Sequence, residues 1–490
     1  MMKLELRDTQ KEVIVELRRS WKQHRTHLIY GPVGMGKTAM AAYIASGFVN
    51  SGKRVLFVAP YTILVTQTFH KFIEYGLPKP GIIWQNDPET DYSRSIQIAS
   101  ADTLKNRELP EFDILIIDEA HLKRKHLLEL IQDCDKPVIG LSGTPFADWM
   151  GNYYENLVKT TTMRRLIDLG VLCDFEFYAP TKPNLDGCRT QNTVMGSDYI
   201  ESEIEEVMNG ADIVGDIVGN WLEHSSHEAT ICFCVNVNHA NHVTVEFNNH
   251  GVKAEVMTAN TPIVERKQII SRFEDGITKV ICNVGVLVAG FDADVRCLIY
   301  ARPTKSEMRW IQCLGRGLRS AKGKQFAKIF DHSGTVHRLG FPDSIEYDYL
   351  KSDKDGMDEV SQARKEKEKK EKLPKECSSC NFMKPAGVYV CPKCGFKPLV
   401  GENVEVDETR ELSALKKKKV VTKEDKQSFY SQLMAIRMER SYSEGWVANQ
   451  YKNKFGVWPR GLSKIAKEPS KEVRNYVKSR QIAYAKSKNK

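Results

Sequence analysis

The segment Gly31-Pro-Val-Gly-Met-Gly-Lys37-Thr38 constrains this chain more than any other. It follows an apolar run, His27-Leu-Ile-Tyr30, and precedes an Ala-rich stretch, Ala39-Met-Ala-Ala-Tyr-Ile44. That order predicts a strand, a glycine loop and a helix, the repeating unit of a parallel α/β sheet. Gly31, Gly34 and Gly36 let the backbone turn tightly and aim successive N–H groups inward at the positive end of a helix, a cradle for phosphates. Lys37 adds a full charge that can reach the outer phosphates, and Thr38 a hydroxyl that can ligate magnesium. The expected ligand is a nucleoside triphosphate with Mg2+.

Further along, Phe112-Asp-Ile-Leu-Ile-Ile-Asp118-Glu119 reads as a buried strand that delivers two adjacent acids at its carboxyl end, where open α/β sheets place ligands. Asp118 is expected to hold the magnesium together with Thr38, and Glu119 to orient and deprotonate an attacking water. Acids after a strand can also simply begin a helix. That reading leaves their coincidence with the phosphate loop unexplained.

From about Leu172 to Asp343 the pattern repeats, and Thr230-Ile-Cys-Phe-Cys-Val235, Lys279-Val-Ile-Cys282 and Cys297-Leu-Ile-Tyr300 read as three parallel strands. A chain of 490 residues exceeds the usual size of one core, so two such domains are expected. Arg316 and Arg319 lie three apart after Trp310-Ile-Gln-Cys-Leu, a spacing that predicts one helix face. Presented across a cleft, they would stabilise the negative charge of phosphoryl transfer. Taken alone, the pair fits a surface ion-pair face equally well.

Asp118-Glu-Ala-His121, then Ser142-Gly-Thr-Pro145, then Gln312-Cys-Leu-Gly-Arg316-Gly-Leu-Arg319 resemble, in that order, the motif set of superfamily 2 helicases of the DEAH-box type. The resemblance implies two tandem RecA-like parallel-sheet domains. It also implies that Leu6-Arg7-Asp-Thr-Gln10 reads the adenine through Gln10, and that Gln312 belongs to the nucleotide site. Asn283 to Asp292 would sense both nucleotide and nucleic acid, with Gly290 permitting a turn and Asp292 near the ribose. Ala59-Pro-Tyr61 and Ser100-Ala-Asp-Thr103 would contact strand phosphates, which carry no base information.

Four of the twelve cysteines fall as Cys377-x-x-Cys380 and Cys391-x-x-Cys394, with Gly395 behind the second pair. The spacing predicts a ribbon in which four thiolates bind one tetrahedral Zn2+, and disulfides are the alternative. No secretory signal and no apolar run of eighteen is evident, which predicts a reducing cytoplasm and no membrane partner. Whether such a ribbon touches nucleic acid or only staples a small fold is left open by the sequence.

Residues 351–375 are almost wholly charged, and 402–419 are poor in core residues; both read as tethers. From Leu412 to Lys490, 20 Lys and Arg face 6 Asp and Glu, a net of +14 in a chain of net +9, so the positive charge gathers in the tail. Such a tail predicts a polyanionic partner, although a lysine-rich terminus can also serve only solubility. Within it Phe429, Leu433 and Ile436, then Val447, Tyr451 and Phe455, recur at helical spacing and predict a small packed unit that ends near Trp458-Pro459.

This architecture, with Phe429-Tyr-Ser-Gln-Leu433 and Gly445 to Pro459, resembles the bacterial RadD DNA repair helicases and related phage proteins. Asp292-Ala-Asp294 departs from it, since relatives commonly carry proline there. The expected organisation is 1–165 and 166–350 (the two RecA-like domains, the first binding ATP), 351–374 (charged linker), 375–400 (zinc ribbon), 401–422 (linker) and 423–490 (basic helical C-terminal domain). The resemblance implies an ATP-dependent DNA helicase or translocase acting on single-stranded or branched intermediates of repair, recombination or replication, in company with single-strand-binding protein or a recombinase. A restriction-system motor subunit, an RNA helicase and an ATP-gated, non-catalytic DNA-binding scaffold are the other readings.

Overall fold

The structure is a computed structural model in which residues 3–180, 182–225, 227–287, 293–352, 373–397 and 423–477 are described, apart from 456, 460, 471, 472 and 475. The chain divides into two compact units, residues 1–400 and 401–490. The first unit holds two parallel sheets. In the first sheet are β1 (Thr26–Tyr30), β2 (Val55–Ala59), β3 (Gly81–Ile83), β4 (Ile96–Ser100), β5 (Ile114–Ile117), β6 (Val138–Ser142) and β7 (Asn156–Val158), ordered β3-β4-β2-β5-β6-β1-β7. β1, β2, β4, β5 and β6 are buried along their whole length, which is why they read as continuous apolar runs.

The helix Met163–Asp168, started by Thr162 Oγ1 accepting from the Arg165 N–H at 3.1 Å, connects the first lobe to the second. There β8 (Asp174–Tyr178) is followed by a hairpin of β9 (Thr190–Thr193) and β10 (Gly196–Tyr199). Then come β11 (Thr230–Phe233), β12 (Ala254–Met257), β13 (Val280–Asn283), β14 (Cys297–Tyr300) and β15 (Phe326–Asp331). The sheet order is β12-β13-β11-β14-β15-β8, so the three strands expected from sequence are adjacent and parallel. Alternation along β11 divides its side chains between two cores: Ile231 and Phe233 join an apolar cluster continuous with the first lobe, while Cys232 and Cys234 join the cluster on the other face. Cys282 and Cys297 join that second cluster as well, where a thiol packs as a small apolar group.

After β15 the chain returns to the first lobe. Lys159 Nζ lies 3.1 Å from Glu346 Oε2 and 2.8 Å from Asp348 Oδ1. The rings of Phe146 and Tyr347 are 4.8 Å apart, and the Gly151 N–H donates to Lys351 O at 2.6 Å. A side chain at Gly151 would meet that carbonyl at 2.8 Å, so only glycine admits this strap.

The four-cysteine segment forms a small hairpin, β16 (Lys375–Glu376) against β17 (Met383–Lys384). In the second unit the helices Lys423–Arg440 and Glu444–Phe455 pack around Phe429, Leu433, Ile436, Val447 and Tyr451, as their spacing predicts. The expected end near Trp458 is corrected: Val473 and Val477 complete that core. An irregular segment runs back along the first helix, the Lys467 N–H donating to Ser431 O at 3.0 Å and the Ser470 N–H to Gln432 Oε1 at 2.8 Å. Residues 353–372 and 398–422, where both predicted tethers mainly fall, lie outside the described residues. Among the described residues no helix is long and apolar enough to cross a membrane.

Candidate functional site

The sheet order sets the site. β6 lies between β1 and β5, so Ser142-Gly143-Thr144 at its carboxyl end separates the phosphate loop after β1 from Asp118-Glu119 after β5. Gly34 and Gly36 hold φ of 82° and 84°, the left-handed region that favours glycine, and Gly36 starts the helix Lys37–Asn50. Thr38 is the second residue of that helix, beside Lys37. A side chain at Gly31 would meet Lys37 Cγ at 2.8 Å, and one at Gly143 would come within 3.3 Å of Lys37 Nζ. The lysine therefore lies in a groove that two glycines keep open.

Lys37 Nζ stands 3.3 Å from Glu119 Oε1. Glu119 adopts φ 46°, and its N–H donates to Asp118 Oδ1 at 2.9 Å, so the two carboxylates are held in fixed relation. Burial first, and the Glu119 charge second, push Asp118 up to about 7. Burial acts in the same direction on Glu119, but the positive charges of Lys37 and Arg316 outweigh it and leave that carboxyl below its ordinary value. One acid near neutrality and one firmly ionised, beside a lysine and a helix N-terminus, form a donor set that suits a divalent cation carrying phosphates.

His121 is buried, which lowers it to about 4, so it is neutral at ordinary pH. The Gln312 amide nitrogen donates to His121 Nε2 at 2.8 Å and to Thr144 Oγ1 at 3.3 Å. The imidazole proton then sits on Nδ1, which is 3.0 Å from Ser142 Oγ. This chain of groups crosses from the second lobe to the first. Ser306 begins the helix Glu307–Gly317 that presents Gln312 and Arg316, its hydroxyl accepting from the Arg309 N–H at 3.2 Å. Gly315 lies against Val33 of the phosphate loop so closely that a side chain there would meet it at 2.7 Å.

One predicted placement differs. The helix ends at Gly317, so Arg319 is not on the face of Arg316; it pairs with Leu172 in an isolated antiparallel bridge. Lys324 Nζ donates to the carbonyls of Gly317 at 2.5 Å and Arg319 at 2.9 Å, which caps the helix and turns the chain away. Gln10 sits against the phosphate loop with its amide turned to backbone: Nε2 donates to Met35 O at 2.7 Å and Oε1 accepts from the Arg7 N–H at 2.9 Å. Gly290 and Asp292 lie outside the described residues. Ser142 and Thr144 gain a part that their motif alone did not disclose, since the link they make spans two lobes.

The loops after β2 and β4 are tied together by Arg124, which donates to Pro60 O at 3.1 Å and pairs with Asp102. In the ribbon, the sulfurs of Cys377 and Cys394 are 3.7 Å apart, as are those of Cys380 and Cys391. Tetrahedral zinc with bonds of about 2.3 Å separates its sulfurs by about 3.8 Å. The donor set therefore fits zinc, and all twelve cysteines are free, which removes the disulfide reading. A hydrogen bond from the Phe396 backbone leads the groups that lower Cys394 to about 7, toward the thiolate a metal requires.

Residues 3–147 match the family model described as "Type III restriction enzyme, res subunit", and residues 211–321 match "Helicase conserved C-terminal domain". The chain is similar to a 51.5 kDa protein of a Lactococcus phage, 27% identical over 409 residues that cover 81% of this chain and 84% of that one. It is also similar to a Saccharomyces cerevisiae protein named as the ATP-dependent helicase IRC3, 30% identical over 48% of this chain but only 37% of that one. Among solved structures, a fragment described as an HsdR subunit of a type I restriction enzyme from Vibrio vulnificus shares the fold. Its TM-score is 0.55 at 21% identity, covering 69% of this chain and 66% of that one. The DNA-bound Type ISP restriction-modification enzyme LlaBIII shares the fold at TM-score 0.50 and 16% identity, over 67% of this chain and 28% of that one. The chain belongs to the superfamily 2 helicases and is an ATP-hydrolysing enzyme.

Proposed function

We propose that this chain is a DNA-stimulated ATPase that moves along DNA, as a helicase or translocase, on single-stranded or branched intermediates of repair, recombination or replication. The observation that carries the reading is the contact of Gln312 in the second lobe with His121 and Thr144 in the first, beside Lys37 and Glu119. In this reading Gly31, Gly34 and Gly36 shape the phosphate cradle, Lys37 holds the outer phosphates, and Gln10, against the loop, hydrogen-bonds the base. Glu119 draws the proton from the attacking water. Arg316, near enough for its charge to lower Glu119, faces the charge that develops in transfer, with Arg319 behind the same helix. Magnesium held by Thr38 and Asp118 would neutralise charge on the transferred phosphoryl group. His121 reports the state of this centre to the second lobe through Gln312, so hydrolysis and lobe movement are one process. Gly290 and Asp292, outside the described residues, are expected from the family resemblance alone to serve the same nucleotide.

Zinc held by Cys377, Cys380, Cys391 and Cys394 staples the ribbon, and the basic tail supplies attraction for the polyanion. Single-strand-binding protein or a recombinase is the accompanying partner, and the free thiols fit a reducing compartment.

The test is ATP turnover with single-stranded DNA, duplex DNA, forks and RNA, beside a labelled fork that reports separation. DNA-stimulated hydrolysis is expected, and Lys37→Ala should abolish it; a Lys37→Ala chain with wild-type stimulated turnover sinks the assignment. A restriction motor is the second reading, supported by the first family match and by the two structural neighbours. Among the described residues, however, the clusters with metal-ligand geometry consist of cysteines, not the carboxylates of a nuclease. Cleavage of plasmid DNA would restore it.

A further inference from the structure

The ribbon is made of two matching knuckles. In the first, the Asn381 N–H donates to Cys377 O at 2.9 Å and the Cys377 N–H to Phe382 O at 2.9 Å, with Asn381 at φ 55°. In the second, the Gly395 N–H donates to Cys391 O at 2.9 Å and the Cys391 N–H to Phe396 O at 2.8 Å, with Gly395 at φ 72°. Phe382 and Phe396 are therefore structural twins. Their surroundings differ.

Phe382 is bound. It bridges to Tyr178 of the edge strand β8, with rings 5.7 Å apart. Lys393 Nζ pairs with Glu176 at 2.5 Å and Lys182 Nζ with Glu376 at 3.1 Å, which fastens the ribbon to the second lobe. Phe396 remains 39% exposed, and the turn between the knuckles leaves Tyr389 68% exposed between exposed Val388 and Val390. Lys384 is buried beneath that turn and donates to Tyr389 O at 3.1 Å, so the backbone under the exposed ring is fixed in advance. Apolar surface held in water on a module of this size marks a contact site. The charges name its partner: Lys375 and Lys397 stand exposed on the ribbon, while its one acid, Glu376, is taken by Lys182, which favours an anion. A nucleic-acid strand supplies both the phosphates and the flat rings that stack on Tyr and Phe.

We propose that Tyr389 and Phe396 form a stacking platform for unpaired bases of a nucleic-acid strand, carried by the zinc ribbon on the edge of the second lobe. The proposal rests on the motor reading above. Because the ribbon is fastened to β8, the platform travels with that lobe and carries a stacked base with it. Stacking is indifferent to base identity, as a motor requires.

The test uses the full chain and fluorescent single-stranded oligonucleotides, DNA and RNA in parallel. Tyr389→Ala with Phe396→Ala should weaken binding roughly tenfold or more and lower fork separation, while hydrolysis without nucleic acid stays unchanged. Tyr389→Leu with Phe396→Leu keeps apolar bulk but no aromatic face, and should bind as weakly as the alanine pair. Wild-type affinity in the leucine pair overturns stacking in favour of an apolar protein contact; wild-type affinity in the alanine pair overturns the site altogether. Should either pair lose zinc, photo-crosslinking of the wild-type chain to a halogenated-uracil strand decides: crosslinks at Tyr389 or Phe396 support the platform, and crosslinks only elsewhere defeat it. A wild-type chain whose turnover ignores nucleic acid would instead fail the motor reading itself.

Discussion

Glu119 holds a left-handed backbone conformation that a residue with a Cβ adopts at a cost of about 1–3 kcal/mol. The cost is met at an acid paired with Lys37, so strain and chemistry coincide. Glu119→Gly relieves the strain and removes the carboxylate together. The expected variant melts at or above the wild-type temperature and hydrolyses ATP on the order of 10²–10⁴ times more slowly, read by thermal melting and phosphate release. Asp118 gives a pH signature. Its carboxyl titrates near 7, and only the ionised form ligates a cation, so the Mg2+ concentration for half-maximal turnover should rise as pH falls from 8 to 6. An unchanged magnesium requirement over that range contradicts its role. Lys37, Thr38, Asp118 and Glu119 were legible in sequence because each sits in a short motif whose chemistry is local. The bond between Gln312 and His121 was not, because 191 residues separate the partners and only the folded sheets bring them together.

At the scale of elements, glycines set how closely the lobes approach. Gly315 touches Val33 of the phosphate loop, and a side chain at Gly34 would strike Leu172 at 2.5 Å. Gly315→Val should hold the second lobe off the loop. An overpacking penalty of about 1–3 kcal/mol, placed on the closed state, predicts stimulated turnover roughly 5- to 150-fold lower with the melting temperature nearly retained. Normal turnover would show that this approach is not needed. Continuous apolar runs revealed the strands, since strands buried on both faces have no polar alternation to obscure them. The end of the helix Glu307–Gly317 was hidden because Lys324, seven residues beyond Gly317, caps it. Val473 and Val477 are not legible in sequence for a similar reason: the segment that returns them to the C-terminal core is irregular and has no period to read.

Over the whole molecule, burial decides the response to acid. His121, His239 and His332 are buried and lowered to about 4, 4 and 3, against an ordinary 6.5. Between those limits the unfolded chain binds protons that the folded chain refuses, so stability is present above pH 6.5 and is lost as pH falls toward 4. Each histidine contributes up to about 1.4 kcal/mol per pH unit in that window. The melting temperature should therefore drop between pH 7 and pH 5, and a flat profile would count against this account. The strap that runs from Glu346 to Lys351 has a mechanical consequence as well. With the helix Met163–Asp168 it gives the second lobe two separate attachments to the first, like a door hung on two pins. A body so mounted keeps one easy swing and loses the other rotations, so every stroke retraces the same arc, and cutting one pin should leave the ATP chemistry intact but its direction lost.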